Sequence, residues 1–175
     1  MHIRRVRNEE ASVRLFVEEL WLPYLRELPG QRVADEGDVD VDEIVEFRTD
    51  HFDDPRKRHW VALDDVDDTS GPVHELDATL AGFVSSTLST PPQKFENPDR
   101  LRIGNFYVDP EYRGTGLADD LVAQALRHGR EDGAEELTLD VDADNDRALA
   151  YYEKLGLDVS RFTMRVPLEE VQLDS

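Results

Sequence analysis

"YVDPEYRGTGLADDL", Tyr107 to Leu121, passes from an apolar, strand-like run through a proline and two glycines into a stripe of helical spacing. Glycines at the mouth of a helix have two uses. They turn a chain tightly, or they let the backbone approach a bound anion, because a helix N-terminus offers unpaired N–H groups and the positive end of its dipole. The flanking sequence narrows the choice. A phosphate-binding P-loop needs a lysine and then Ser or Thr after the second glycine, where Leu117 and Ala118 stand. A dinucleotide fingerprint needs a third small residue three positions after Gly116, where Asp119 stands. Both are excluded.

Around this stretch the order of elements is mixed. His2 to Arg7 reads as a short strand, with Asn8 as N-cap of a helix that carries Val13, Phe16, Val17 and Leu20 at helical spacing until Pro23 disrupts it. Pro29 to Asp42 is a polar loop, and "DEIVEFRTDHF" a second helix ending near Asp53. "RHWVAL" and "ATLAGFVSSTL" read as strands joined through the acidic segment Asp64 to Asp77, and "PPQKFENPDR" as a loop before the strand "LRIGNFYV". After Gly116, Leu117, Leu121, Val122, Ala125 and Leu126 form one apolar stripe, closed near Gly133. "ELTLDV" is a strand, "NDRALAYYEKL" a helix ended by Gly156, and "FTMRVPL" a last strand. The expectation is an α/β fold: one domain over 1–175, a mixed β-sheet flanked by helices.

The second piece of the pattern lies downstream. Arg113-x-x-Gly116-x-Ala118, after a strand ending in Val108-Asp109-Pro110, is followed by "NDRALAYYEKLGL", in which Asn145, Ala148, Tyr152 and Gly156 are spaced N-x-x-A-x-x-x-Y-x-x-x-G. With one helix and one strand between them, the two pieces resemble the GNAT superfamily of acetyl-CoA-dependent N-acetyltransferases. The resemblance is specific from about Leu101 to Leu157 and loose before Trp60.

That resemblance implies roles residue by residue. The amides of Arg113, Gly114, Thr115, Gly116, Leu117 and Ala118 would cradle the coenzyme A pyrophosphate. The strand "NFYV" would splay from "TLDV" at a bulge, so that backbone groups of Phe106, Tyr107 and Val108 pair with the pantetheine arm. The Val108 N–H would polarise the thioester carbonyl, and Asn145 would hold the arm from the other side. Tyr152 would protonate the departing thiolate. Free tyrosine and thiol pKa values of about 10 and 8.5 make that transfer uphill by roughly 2 kcal/mol, so the alternative is a hydrogen bond from Tyr152 with the proton arriving from the amine. The family transfers an acetyl group to an amine by direct attack. The acceptor, an amine on a small molecule or a protein, would be shaped by the region from about Trp21 to Phe52. Homodimers are common in the family. Asp119, Asp120 and Asn105 depart from its usual residues and leave a non-catalytic coenzyme A-binding module as the alternative.

Composition sets the remaining bounds. Of 175 residues, 40 are acidic and 20 basic, a net charge of −20, and Lys57, Lys94 and Lys154 are the only lysines. Such a surface repels phosphates, so nucleic acid and anionic membranes are not expected partners. It fits a halophilic cytoplasm, where salt screens the repulsion of hydrated carboxylates. No cysteine is present, which excludes thiolate chemistry. No signal-peptide core and no apolar run near the ~20 residues of a membrane span are visible, so the expected location is cytoplasmic. A calcium loop at Asp140 to Asp146 fails, with Asn145 where glycine and Tyr151 where glutamate is required. The histidines have no metal-ligand spacing, and no metal is expected. His51, His59, Glu46 and Asp140 are candidate bases that the sequence does not separate, and a water chain to solvent serves as well.

Overall fold

Trp60, Val61, Ala62 and Leu63 are all buried, so β2 (Lys57–Asp64) is covered on both faces. In the computed structural model, which describes residues 1–28, 39–91 and 98–171, one five-stranded sheet holds it. Across that sheet lie β1 (His2–Arg5), β2, β3 (Thr79–Ser89), β4 (Arg100–Val108) and β5 (Glu136–Leu139), in that order. Neighbours are antiparallel from β1 to β4, and β5 runs parallel to β4. A parallel pair needs a crossover. Here it is α4 (Leu117–Glu131), whose buried Leu117, Leu121, Val122 and Ala125 are the stripe read from the sequence. The opposite face is covered by α1 (Glu10–Phe16), α2 (Leu22–Glu27) and α3 (Val41–Asp53). Between them and the sheet, Phe16, Leu20, Phe52, Val61, Phe83 and Tyr107 share one core.

Three expectations about the helices and strands change. Pro23 does not end the first helix. The chain widens into a π-helical turn over Val17–Trp21, with Leu22 N–H bonded to Val17 O, and Pro23 then stands in the first turn of α2. A proline ring clashes with the carbonyl four residues back and donates no bond, and the widened turn absorbs both defects. Asn8 does not cap α1: Glu9 occupies that position, and the Asn8 amide instead reaches Asp53 Oδ1 at 2.5 Å. "FTMRVPL" forms no strand; Phe162 and Met164 are 83% and 92% exposed. Alternation alone does not make a strand, because its backbone groups need a ladder partner. The predicted loop tips at 29–38 and 92–97 lie outside the described residues.

By contacts the chain groups into two compact units, Met1–Asp140 and Val141–Ser175. The second carries α5 (Asp146–Lys154), capped by Asn145 and followed by Gly156 at φ +88°.

Candidate functional site

The first unit brings a strand edge and a helix N-terminus together within one connection. β3 and β4 lose register between Val84 and Ser86: Val84 pairs with Phe106, but Ser86 pairs with Ile103. Gly104 and Asn105 therefore share the space opposite Ser85, a bulge on β4. Ser85, buried, fixes it: its Oγ accepts the Asn105 N–H at 2.8 Å and donates to the Asn105 carbonyl at 3.3 Å. The ladder between β4 and β5 ends at Ile103 and Leu139, on the near side of the bulge.

Beyond that point β4 keeps only β3 as a ladder neighbour among the described strands. The bond from Asp109 N to Ala81 O, 3.0 Å, marks Val108 and Gly82 as a pair that exchanges no hydrogen bonds. The Val108 N–H and C=O therefore point away from β3, to the side where β5 has ended. By alternation Phe106 has the same orientation, and Tyr107 faces its amide to Phe83. The Val108 carbonyl accepts from Arg113 Nε at 2.9 Å, and Arg113 Nη2 reaches Glu27 Oε2 at 2.5 Å. The side chain of Arg113 is thus committed within the protein. The Tyr107 ring lies in the core, and burial, with Glu27 nearby, pushes its hydroxyl up to about 12.

The connection from β4 to α4 is built for an open helix mouth. Asp109 accepts the Glu111 N–H at 2.9 Å and starts a 3₁₀ turn over Pro110–Tyr112; Thr115 Oγ1 donates to Tyr112 O at 2.7 Å. Gly114 and Gly116 then take φ of +80° and +93°, a conformation that L side chains resist. A Cβ added at either would meet nothing within 4 Å. The backbone conformation, and not crowding, calls for glycine there, and the space beside the turn is open. Gly116 is the N-cap of α4 and provides no side-chain cap to the first turn.

Residues 17–157 match the model of the Acetyltransferase (GNAT) family. The chain belongs to that family. Mycothiol acetyltransferase of Corynebacterium efficiens is 55% identical over 49 residues, 28% of this chain and 17% of that protein. Its counterpart in Corynebacterium aurimucosum is 34% identical over 96 residues, 53% of this chain and 29% of that protein. N-alpha-acetyltransferase MAK3 of Arabidopsis thaliana is 47% identical over 54 residues, 31% and 28% of the two chains. The matches thus span less than a third of these relatives' length. Among solved structures, the tetramutant of the BH1408 protein from Bacillus halodurans aligns at TM-score 0.68 and 18% identity, over 96% of this chain and 100% of that one. The aminoglycoside N-acetyltransferase AAC(6')-Iy in complex with CoA aligns at TM-score 0.64 and 15% identity, over 95% and 93%. These two likenesses concern the fold.

In the second unit of this GNAT chain, the Asn145 side chain accepts the Ala148 N–H at 3.1 Å and so caps α5. Tyr152, seven positions on, lies about two helical turns away on the same side of α5; it is half-buried and 5.5 Å from the Tyr151 ring. Of the candidate bases, His59 is the buried one. It is buried against Phe52 at 4.0 Å, both ring nitrogens lack a partner, and burial, then the charge of Arg48, lowers its pKa to about 3. A group that weakly basic takes no proton at neutral pH. Asp140 pairs with Arg102, a His51 ring nitrogen bonds to Phe47 O at 3.1 Å, and Glu46 is exposed.

Sequence reading missed the aromatic wall beside the bulge. The Tyr24 hydroxyl donates to Asn105 Oδ1 at 3.2 Å, and its ring packs on Trp21 at 5.2 Å and Phe83 at 5.6 Å. The readable signal was Gly104-Asn105 inside an apolar strand, a pair that favours a bulge. Among the described residues no group of three or more His, Cys, Asp and Glu could hold a metal, and no helix is long and apolar enough to cross a membrane.

Proposed function

We propose that this chain is an N-acetyltransferase that moves the acetyl group of acetyl-CoA to a primary amine by direct attack, and that residues 1–175 work as one domain. The observation that carries the reading is the direction of the Val108 N–H. It points to the side where β5 has ended, immediately before a connection with two positive-φ glycines and a helix mouth without a side-chain cap. The residues fit the coenzyme. Amides from Gly114 to Ala118 would receive the pyrophosphate, the Arg113 N–H being bonded to Pro110 O at 3.4 Å, and backbone groups of Phe106 and Val108 the pantetheine arm. Bound there, acetyl-CoA supplies an activated acetyl group as a thioester.

The chain's own contribution is mostly electrostatic. The Val108 N–H would donate to the acetyl oxygen as charge develops on it, a contact commonly worth about 3 kcal/mol of barrier. The Ser85–Asn105 lock holds that strand in place before any ligand arrives, which spares reorganisation during the reaction. Asn145 would steady the arm, and Tyr152 would hold or deliver the proton at the departing sulfur. The acceptor is an amine on a small molecule or a protein, and the Tyr24–Asn105 wall stands beside the place it would occupy. The working compartment is a salt-rich cytoplasm.

Release of coenzyme A thiol tests this directly, because a chain with no cysteine adds no thiol of its own. The expected result is amine-dependent thiol release that falls strongly in Tyr152→Phe. Stabilisation by acetyl-CoA without release for any amine would favour a non-catalytic coenzyme-binding module.

A further inference from the structure

Arg48 lies on α3 with 4% of its surface exposed, and it has no carboxylate partner among the described residues. That is unexpected in a chain with 40 acidic side chains. A buried charge is ordinarily paired, because removing it from water is costly. The ring of Trp21 covers one face of the guanidinium, 3.3 Å from Cζ to the ring centroid, and Phe16 is at 5.8 Å. An aromatic ring can satisfy the face of the cation but not the N–H groups in its plane. Nε and Nη2 are buried and have no hydrogen-bond partner. Those two nitrogens lie on one edge of the guanidinium, the edge that takes a carboxylate through two parallel hydrogen bonds.

Among the described residues the surroundings supply no anion. Among the described residues, Tyr24 and His59 are the titratable groups that act on Arg48, and His59 is neutral at pH 7 because its pKa is lowered to about 3. Burial lowers Arg48 itself to about 10, which leaves it a cation at that pH. Trp21, stacked on Arg48, packs on Tyr24, and Tyr24 hydrogen-bonds Asn105 at the bulge before Val108. The unpartnered edge of Arg48 is therefore linked by two aromatic side chains to the place where the amine would be acetylated.

We infer that Arg48 is the counter-ion of a carboxylate on the acceptor, so that the acceptor class is amines that also bear a carboxylate, such as amino acids and short peptides with a free C-terminus. This rests on the acetyltransferase reading for the position of the amine, but the anion-binding edge is a separate observation.

The test uses matched pairs of amines, each as the free acid and as its carboxamide, with thermal unfolding and thiol release as readouts. In the wild type the acids raise the unfolding midpoint and exceed their amides at least tenfold in kcat/KM. In Arg48→Met the acid-to-amide ratio falls to about one, Arg48→Lys is intermediate, and the shift caused by acetyl-CoA alone persists. The ligand-free midpoint of Arg48→Met equals or exceeds that of the wild type, because an unpaired buried charge has gone. A lower ligand-free midpoint assigns Arg48 to packing and overturns the inference. So does equal stabilisation by acids and amides in the wild type, a comparison that needs no variant. Loss of the acetyl-CoA shift with the acid-specific shift retained would instead sink the acetyltransferase reading and leave the carboxylate site standing.

Discussion

Ser85 Oγ receives the Asn105 N–H at 2.8 Å, at the point where β3 and β4 lose register. One buried hydroxyl thus holds the extra residue of the bulge, and the direction of β4 from there to Val108 depends on it.

Ser85→Ala leaves that N–H without its acceptor. A buried donor left unsatisfied costs about 1–3 kcal/mol. The expected outcome is a loss of that size in urea unfolding, with a fall in turnover larger than the loss of folded protein explains. Unchanged turnover in folded enzyme would show that the bulge does not need this lock.

Gly82 faces Val108 across the strand pair. A Cβ there would stand 2.6 Å from Tyr107 O and 3.2 Å from Val108 Cα, both backbone atoms that cannot step aside cheaply. Gly82→Ala should destabilise by about 1–3 kcal/mol. If it displaces the Val108 N–H by about 1 Å, the rate falls on the order of a hundredfold. Steady-state kinetics on the folded fraction would separate the two effects.

Acid should expose His59. Its folded pKa is depressed from 6.5 to about 3, mainly by burial. Above pH 6.5 the ring is neutral in both states and its burial carries no protonation penalty. As pH falls from 6.5 towards 3 the unfolded chain binds a proton that the native state does not, and stability drops by about 1.4 kcal/mol for each pH unit. His59→Leu removes this component, so its urea-unfolding curve should fall less than that of the wild type between pH 6 and 4. Parallel pH dependence of the two proteins would place the His59 ring in water.

Much of this site was legible because its signals are local. Gly114 and Gly116 announce positive φ, and the stripe from Leu117 to Ala125 fixes the helix that follows. Pro23 misled because a proline is read as a break, whereas a π-helical turn ending two residues earlier, at Trp21, admits it. The segment 162–168 misled because alternation records a side-chain pattern and not the presence of a ladder. Arg48, Trp21 and Tyr24 were out of reach for another reason. Their association depends on α3 packing over β2 while the π-helical turn and α2 pack over β3 and β4, and no spacing in the chain records which long side chain turns inward.

The most direct measurement is thermal unfolding with and without excess acetyl-CoA, in dilute buffer and in multimolar KCl, on the wild type and on Gly116→Glu. A ligand at a hundred times its dissociation constant stabilises by about 2.7 kcal/mol. The expected result is a rise in midpoint for the wild type that disappears in Gly116→Glu, where a carboxylate would stand at the uncapped mouth of α4. Well-folded wild-type protein whose midpoint does not move at millimolar acetyl-CoA would contradict it, and the two glycines would then only turn the chain.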